Sequence, residues 1–302
     1  MASSSNLCVC VTCGTQFDFP YEERPLTCRM CNDPRQFVPP SGQSWTTLAR
    51  MQTNHRNEIK QDEVDGRIWS IFSSPQFAIG QRALLVETEA GNVLWDCISL
   101  LDADTIAFIK SRGGLKAIAI SHPHFYSTHL EWAREFDCPV YLAEEDQEWI
   151  NREDEHGHRR LVSGLTLEIL PRVNIVKLGG HFPGSCALHW NKNLASHKQG
   201  FVGDSIGISQ SGLVRSHHSN DHQVFFFHYA FPNFIPLGPT AMLEMWQRLK
   251  GWEFTSLFSL FYQTTVRDPN VKSMVLDSMQ RQALYQENNS HPLLAEIRES
   301  KI

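Results

Sequence analysis

The feature that most constrains the fold is a pair of histidines at the end of a predicted strand. The apolar run from Leu115 to Ile120 predicts a short buried strand, which leads directly into His122 and His124. Side chains two residues apart in extended backbone project to the same side, so the two imidazoles can bind the same metal ion. Thr128 and Glu131 then form a capping-box pattern that predicts the start of a helix. The histidines therefore lie between a strand end and a helix start, where α/β folds place chemistry.

The segments around this loop predict an α+β fold. Two apolar runs within residues 83–98 flank an Ala-Gly-Asn turn and predict a hairpin. Helical spacing from Ala103 to Ser111, with Asp102 as the N-cap, predicts the next helix. A second β-rich half is closed by a helix from Thr240 to about Trp252 and by a C-terminal helix from about Asp268. Two β-rich halves, each closed by helices, predict a four-layer αββα sandwich rather than a doubly wound sheet.

Two later loops carry further candidate metal ligands. His181 lies in the segment Leu-Gly-Gly-His-Phe-Pro-Gly-Ser, and Asp204 ends the segment Gly-Phe-Val-Gly-Asp. Three neutral imidazoles suit zinc or iron and leave a coordination position for water. An aspartate at the end of an adjacent strand can bind the same metal or orient that water. The sequence thus predicts an active-site zinc or iron held by His122, His124, His181 and Asp204.

These segments resemble the motifs of the metallo-β-lactamase-like hydrolase superfamily over roughly Arg67 to the C-terminus. The loop Ser-His-Pro-His-Phe-Tyr-Ser is similar to the superfamily's His-x-His-x-Asp-His loop, and the Gly-Gly-His and Gly-Asp segments are similar to its next ligand loops. Asp96, in the strand Val-Leu-Trp-Asp-Cys, matches its structural aspartate. The resemblance implies an αββα sandwich and hydrolysis by a metal-activated water.

The chain departs from the superfamily at the second metal. Tyr126 and Ser127 stand where the superfamily has Asp and His, and the distal segment Ser-Leu-Phe-Ser-Leu-Phe-Tyr-Gln lacks its last histidine. His129 and His228 do not match the motif. One metal ion is therefore expected, with Asp204 as the general base and Tyr126 as a hydrogen-bond donor to a developing oxyanion.

The N-terminal segment predicts a second, structural metal site. Cys10, Cys13, Cys28 and Cys31 form two Cys-x-x-Cys turns with fourteen residues between them, which is zinc-ribbon spacing. Four thiolates make a closed tetrahedral zinc site that stabilises folding and leaves no position for substrate. Cys8 is interpreted as an unpaired neighbour of this site.

Three segments follow from these patterns. Residues 1–38 form a small zinc-ribbon-like module with four cysteine ligands, called the cysteine module below. The polar segment 39–66 has little periodicity and predicts a linker packed on the main domain. Residues 67–302 form the metallo-β-lactamase-like domain. A cysteine module followed by a Tyr-substituted domain resembles a fungal and bacterial subfamily of the superfamily.

Composition excludes several classes of partner. A formal charge of -6 and a pI near 6.1 argue against a protein that binds phosphate backbones. No run approaches the roughly 18 apolar residues of a membrane helix, and the N-terminus lacks the pattern of a signal peptide. Clustered Cys pairs favour metal binding in a reducing compartment. We therefore expect a cytoplasmic protein that acts on a small molecule, without nucleic-acid or membrane partners.

Three functions are consistent with the sequence. The first is a metal-dependent hydrolase of a small lactone, lactam, ester or thioester. The second is a non-catalytic binding or assembly protein, which the loss of second-metal ligands at positions 126 and 127 supports. The third is a non-haem iron enzyme of oxygen or sulfur chemistry, because three histidines and a carboxylate also suit iron.

Overall fold

The computed structural model describes residues 4–192, 198–214, 222–286 and 289–297, and the chain divides into two compact units, Met1–Ser163 and Gly164–Ile302. The domain boundaries expected from the sequence stay a prediction. The first unit contains β1 (Leu7–Cys10), β2 (Gln16–Pro20), β3 (Trp45–Thr46), α1 (Leu48–Asn54), β4 (Arg56–Gln61), β5 (Ile68–Ser74), β6 (Ala83–Thr88), β7 (Gly91–Trp95), α2 (Ala103–Ser111), β8 (Ala117–Ala119), α3 (His129–Phe136), β9 (Val140–Ala143) and β10 (Arg159–Val162). Its short 3-10 helices cover Ser4–Asn6, Tyr21–Glu23, Pro123–Phe125 and Glu144–Trp149.

The main sheet of the first unit has seven strands in the order β10-β9-β8-β7-β6-β5-β4. The predicted hairpin is confirmed, since β6 and β7 pair antiparallel. The strands β7, β8, β9 and β10 pair in parallel, so their carboxyl ends lie at one edge of the sheet. Strand β8 is buried throughout, as its apolar sequence predicts, and it delivers the chain to the histidine pair at that edge.

The segment 39–66, expected as a linker, contains regular structure. Strand β3 pairs with β1 in a three-stranded sheet of order β2-β1-β3, and β4 pairs with β5 at the edge of the seven-stranded sheet. Helix α1 buries Leu48 and Met51 against Val9 of β1. The sequence did not indicate β4. This strand lies exposed at the sheet edge, and its polar and charged residues lack the apolar–polar alternation of a half-buried strand.

The sequence predicts the side-chain cap of α2 correctly and that of α3 incorrectly. Helix α2 has the predicted bounds, and the Asp102 carboxylate accepts the backbone N–H of Thr105 at 2.8 Å. Helix α3 begins after Thr128 as predicted, but the capping box is wrong. The Thr128 hydroxyl donates to the Ser99 carbonyl at 2.9 Å instead, because the backbone of Thr128 lies outside the extended region that a capping residue adopts.

The second unit is built on a six-stranded sheet of order β11-β12-β13-β14-β19-β20, in which only the β14–β19 pair is parallel. Two further sheets have two strands each, β15-β16 and β17-β18. Its elements are β11 (Thr166–Leu170), β12 (Val173–Lys177), β13 (Cys186–Asn191), β14 (Lys198–Val202), β15 (Gly207–Ile208), α4 (Gln210–Leu213), β16 (Phe225–Phe226), β17 (His228–Ala230), β18 (Ile235–Pro236), α5 (Pro239–Leu249), β19 (Ser256–Phe258), β20 (Thr265–Arg267), α6 (Val271–Tyr285) and a 3-10 helix at Pro292–Ala295.

Helices α5 and α6 cover the core of the second unit. Helix α5 buries Met242, Met245, Trp246 and Leu249, which recur at the spacing of one helical face. This face packs with β12 and β14 in one hydrophobic cluster. It also forms the support for the loop that carries His181, as described below. Among the described residues, no helix has the length and apolar character needed to cross a membrane.

Candidate metal centres

The structure brings the four predicted cysteine sulfurs together. All four cysteines are buried, and their sulfur atoms lie within 4.8 Å of one another. The Sγ atoms of Cys10 and Cys31 are 3.6 Å apart, and those of Cys13 and Cys28 are 3.7 Å apart. Zinc–sulfur bonds of about 2.3 Å in a tetrahedron place the sulfurs about 3.8 Å apart. The cluster therefore has the dimensions of a structural zinc site.

The electrostatics of this cluster also fit a metal. Hydrogen bonds from Cys13, Cys28 and Cys31 hold the pKa of the Cys10 thiol well below its usual range, whereas burial raises the pKa of Cys13. One thiolate is thus stabilised by its neighbours, and a bound cation would supply the charge that stabilises the others. Cys8 is separate from the cluster, since its thiol donates to the Pro20 carbonyl at 3.4 Å.

The first unit carries two candidate ligands on the His loop, residues 121–128. Asp96 has a left-handed backbone (φ 61°), and its carboxylate accepts the Ser121 N–H at 2.7 Å, which fixes the start of the loop. The Ser121 hydroxyl lies 2.8 Å from Nδ1 of His122 and so directs Nε2 of that ring to the candidate ligand position. The ring centroids of His122 and His124 are 5.1 Å apart, and both side chains are buried. The two imidazoles are adjacent as predicted, but the extended backbone expected between them is wrong, because His124 lies in the 3-10 helix Pro123–Phe125.

The residues that replace second-metal ligands have other contacts. The Ser127 hydroxyl donates to the Cys97 carbonyl at 3.4 Å and lies 3.4 Å from the Gln81 side-chain nitrogen. Tyr126 is buried, and its ring is 5.9 Å from that of His129. The side chain of Ser127 is therefore engaged with the loop that follows β7.

His129 is held as a neutral structural residue. Its Nδ1 lies 2.8 Å from the Tyr126 carbonyl, which can only accept, so Nδ1 carries the proton. Nε2 then faces the Arg159 guanidinium at 3.4 Å and accepts from it. Burial and the charge of Arg159 lower the pKa of His129 to about 3. Both ring nitrogens are occupied, so His129 cannot serve as a substitute second-metal ligand in this arrangement.

His228 is part of an aromatic cluster in the second unit. Its ring lies 4.9 Å from that of Phe226 and 5.5 Å from that of Phe231. Burial lowers its pKa. Over the described residues, His228 belongs to neither group of side chains with metal-ligand spacing.

The second unit carries a candidate ligand on the Gly-Gly-His loop, residues 178–185. Gly179 and Gly180 have φ of 75° and 85°, a region that side chains rarely adopt. A Cβ at Gly180 would lie 2.5 Å from Sδ of Met245 in α5, so the loop backbone packs directly on that helix. The Leu178 N–H closes the loop by donating to the Ser185 carbonyl at 2.7 Å. These contacts fix the position of His181.

His181 and Asp204 lie together in the second unit. Nε2 of His181 is 3.5 Å from Oδ2 of Asp204, and the two side chains are 0% and 6% exposed. The Ser205 hydroxyl donates to the Gly179 carbonyl at 2.9 Å and so connects the Asp204 segment to the Gly-Gly-His loop. Ser259, just beyond β19, is buried, and its hydroxyl donates to the Ile206 carbonyl at 3.4 Å. His181 and Asp204 are thus one imidazole and one carboxylate that can act as metal ligands.

Sequence reasoning missed two residues of these sites. Ser121 has a weak signal, because a hydroxyl directly before a candidate ligand can reach its imidazole. Arg159 has none, since it contacts His129 from a strand 30 residues away. Only the parallel pairing of β9 and β10 brings that guanidinium to the His loop.

Comparison with known proteins identifies the family and the fold. No family model matches the chain. The uncharacterized protein YmaE of Bacillus subtilis (strain 168) is 38% identical over 278 residues, which are 91% of this chain and 94% of YmaE. The structure of a B3 metallo-β-lactamase with an active-site glutamic acid is 15% identical, covers 85% of this chain and 97% of its own, and superposes with a TM-score of 0.50. This likeness confirms the predicted fold class. The chain therefore belongs to the family of YmaE, and its fold is that of the metallo-β-lactamases.

Proposed function

We propose that His122, His124, His181 and Asp204 together bind one catalytic metal ion and that the protein is a metal-dependent hydrolase. The observation that carries the proposal is the close placement of buried ligand-type groups at strand ends in each unit. The two imidazoles of the His loop are 5.1 Å apart, and His181 lies 3.5 Å from the Asp204 carboxylate. Imidazole nitrogens and carboxylate oxygens are the ligand types that zinc and non-haem iron bind.

The side chains of the chain have distinct parts in the proposed reaction. A bound zinc or iron supplies a Lewis acid and lowers the pKa of water. Asp204 accepts the proton from the attacking water as general base. The buried Tyr126 hydroxyl donates a hydrogen bond to the oxyanion that develops on the substrate carbonyl. Ser121 holds the ring of His122 in orientation through Nδ1.

A single metal ion is proposed because the second-metal positions are otherwise engaged. Ser127 contacts the Cys97 carbonyl, and both nitrogens of His129 have partners. The Arg159 guanidinium, 3.4 Å from Nε2 of His129, also places a positive charge where a second cation would be repelled.

The proposed substrate is a small lactone, lactam, ester or thioester. The net charge of -6 and the few basic residues beside the motif loops support a small molecule rather than nucleic acid, and a membrane partner is not proposed. We further place the protein in the cytoplasm, in a branch of the superfamily with a Tyr-substituted motif and an N-terminal four-cysteine zinc site. Zinc is proposed for the four-cysteine site and zinc or iron for the catalytic site.

Elemental analysis of the full-length protein, equilibrated with saturating metal, tests the proposal. We expect two equivalents in the wild type, one in Cys28→Ser and one in His124→Ala. Cys8→Ser and His156→Ala are the matched controls and should retain two. A panel of lactones, lactams, esters and thioesters then tests hydrolysis, which His124→Ala should abolish.

Other results would favour the remaining candidates. A single equivalent in the wild type that Cys28→Ser removes would leave the His and Asp residues without metal and would favour a binding or assembly protein. Iron as the equivalent that His124→Ala removes, with no hydrolysis of the panel, would favour a non-haem iron enzyme.

A further inference from the structure

The cysteine module contacts the His loop within the first unit. The Gln16 N–H donates to the Ser127 carbonyl at 3.1 Å. The Ser99 hydroxyl donates to the Gly14 carbonyl at 2.8 Å, and the Ser99 carbonyl accepts the Thr128 hydroxyl at 2.9 Å. The segment directly after Cys13 is therefore connected to the end of the His loop by hydrogen bonds, directly through Gln16 and indirectly through Ser99.

We propose that the cysteine module is a positioning element of the catalytic centre. Gly14 and Gln16 hold the end of the His loop, so that metal binding by the four cysteines sets the placement of His122 and His124. Loss of the cysteine-bound metal then weakens metal binding at the histidines. This inference rests on the proposed function, because it assumes a metal at the His and Asp residues.

The backbone of Ser127 explains why the loop needs support. Its φ of 41° is in the left-handed region, which a residue with a side chain keeps only when its surroundings impose it. The contacts that impose it are the Gln16 N–H on its carbonyl and the Cys97 carbonyl on its hydroxyl. Ser127 lies three residues after His124, so a change of this backbone moves the ligand.

The position of Gly14 depends on the cysteine turn. The Gly14 N–H donates to the Cys10 carbonyl at 2.9 Å, and the Cys10 N–H donates to the Thr15 carbonyl at 3.0 Å. Gly14 has a φ of 79°, and a Cβ on it would lie 2.4 Å from the Ser99 hydroxyl. The turn that binds metal through Cys10 and Cys13 thus fits against Ser99 without space for a methyl group.

A partly buried ion-pair network connects β2, the next strand of the module, to α3. Arg152 contacts the Asp18 carboxylate at 2.6 Å, the Glu131 carboxylate at 2.8 Å and the side chain of Gln16. The Arg152 and Glu131 side chains are only 12% and 9% exposed. Because Glu131 lies in the first turn of α3, the module supports both the end of the His loop and the helix that follows it.

Gly14→Ala in the full-length protein is the direct test, with Gly42→Ala as its control. Gly42 has a similar φ of 85°, but a Cβ there meets no atom within 4 Å, so only the strain is shared. Each variant is loaded with Co²⁺, whose visible spectrum separates thiolate from imidazole ligation, and the affinity of each site is measured by chelator competition. Gly14→Ala should keep the thiolate-bound equivalent and bind the imidazole-bound one at least about tenfold more weakly. Gly42→Ala should match the wild type.

Two further variants keep the test decisive if Gly14→Ala folds poorly. Ser99→Ala alone removes the hydroxyl that donates to the Gly14 carbonyl and keeps the Ser99 carbonyl on Thr128, so it should also weaken the imidazole-bound equivalent. Cys28→Ser should weaken the imidazole-bound equivalent, whereas His124→Ala should leave the thiolate-bound one unchanged. Imidazole-site affinities equal to wild type in both Gly14→Ala and Cys28→Ser would overturn the inference. A wild type that lacks the imidazole-bound equivalent would instead overturn the proposed function.

Discussion

The two candidate metal centres differ in how the chain supplies their ligands. The four clustered cysteines lie within residues 10–31, on two short turns of one small module, whereas the proposed His and Asp ligands lie on loops that are far apart in the sequence. Four thiolates close a tetrahedral coordination sphere, whereas three imidazoles leave a position for water, and a carboxylate bound as well admits water only as a fifth ligand. The local site is therefore suited to stability and the distributed site to chemistry.

The largest effect should come from opening the closed site. Cys31→Ser removes one of four thiolates, and we expect the free energy of unfolding to fall by about 5 kcal/mol or more, since metal affinity at such a site is folding free energy. Urea unfolding of the metal-loaded protein measures this loss. Cys8→Ser is the control because its thiol donates to the Pro20 carbonyl, away from the cluster. Equal unfolding energies for Cys31→Ser and wild type would show that the four-cysteine site does not stabilise the fold.

The next effect concerns the distributed site. Asp204→Asn keeps the shape of the side chain but removes both the general base and the charge of a proposed ligand, and we expect kcat, measured at saturating metal, to fall by about 10²- to 10⁴-fold with unfolding energy little changed. The hydrolysis rate on the best substrate of the panel measures this. A rate within a few-fold of wild type would show that Asp204 is not the base.

Lowering the pH should destabilise the folded protein through His129. Burial lowers its pKa from 6.5 to about 3, so the folded protein keeps it neutral while the unfolded chain protonates it. Its contribution to stability is complete above pH 6.5 and is lost as the pH falls toward 3. Between pH 7 and 4, wild type should lose about 2–4 kcal/mol more unfolding free energy than His129→Asn, measured by urea titration. Equal losses in the two proteins would contradict the buried neutral state.

The smallest predicted effect comes from a substitution at Ser121, which directly precedes the proposed ligand His122. Ser121→Ala removes the hydroxyl that orients His122, and we expect metal affinity at the imidazole site to fall about 10- to 100-fold. Chelator competition on the Co²⁺ protein measures it, and Ser111→Ala on the exposed end of α2 is the control. Affinity equal to that of the control would mean that the ring of His122 needs no partner.

Local patterns made the fold and the ligand pairs predictable. The Asp102 cap and the bounds of α2 follow from interactions within a few residues, and His122 and His124 lie close together because one short loop carries both, although its backbone turns into a 3-10 helix instead of staying extended. The cysteine spacing is equally local. In each case the residues that determine the geometry are neighbours in sequence.

Tertiary contacts decided the features that the sequence did not indicate. Thr128 looked like a helix cap, but its hydroxyl donates to the Ser99 carbonyl in another loop. Strand β4 has the composition of a linker and becomes a strand because β5 offers an open edge. Arg159 reaches His129 only through the strand order of the sheet.

The separation of the two ligand sets also gives them an order in time. During synthesis, the cysteine set is complete once residue 31 has left the ribosome, whereas the last proposed ligand of the other centre, Asp204, emerges only after most of the chain. If both metals bind as proposed, the cysteine site is complete on the nascent chain while the second site still lacks a ligand, so the first ion has the earlier opportunity to bind.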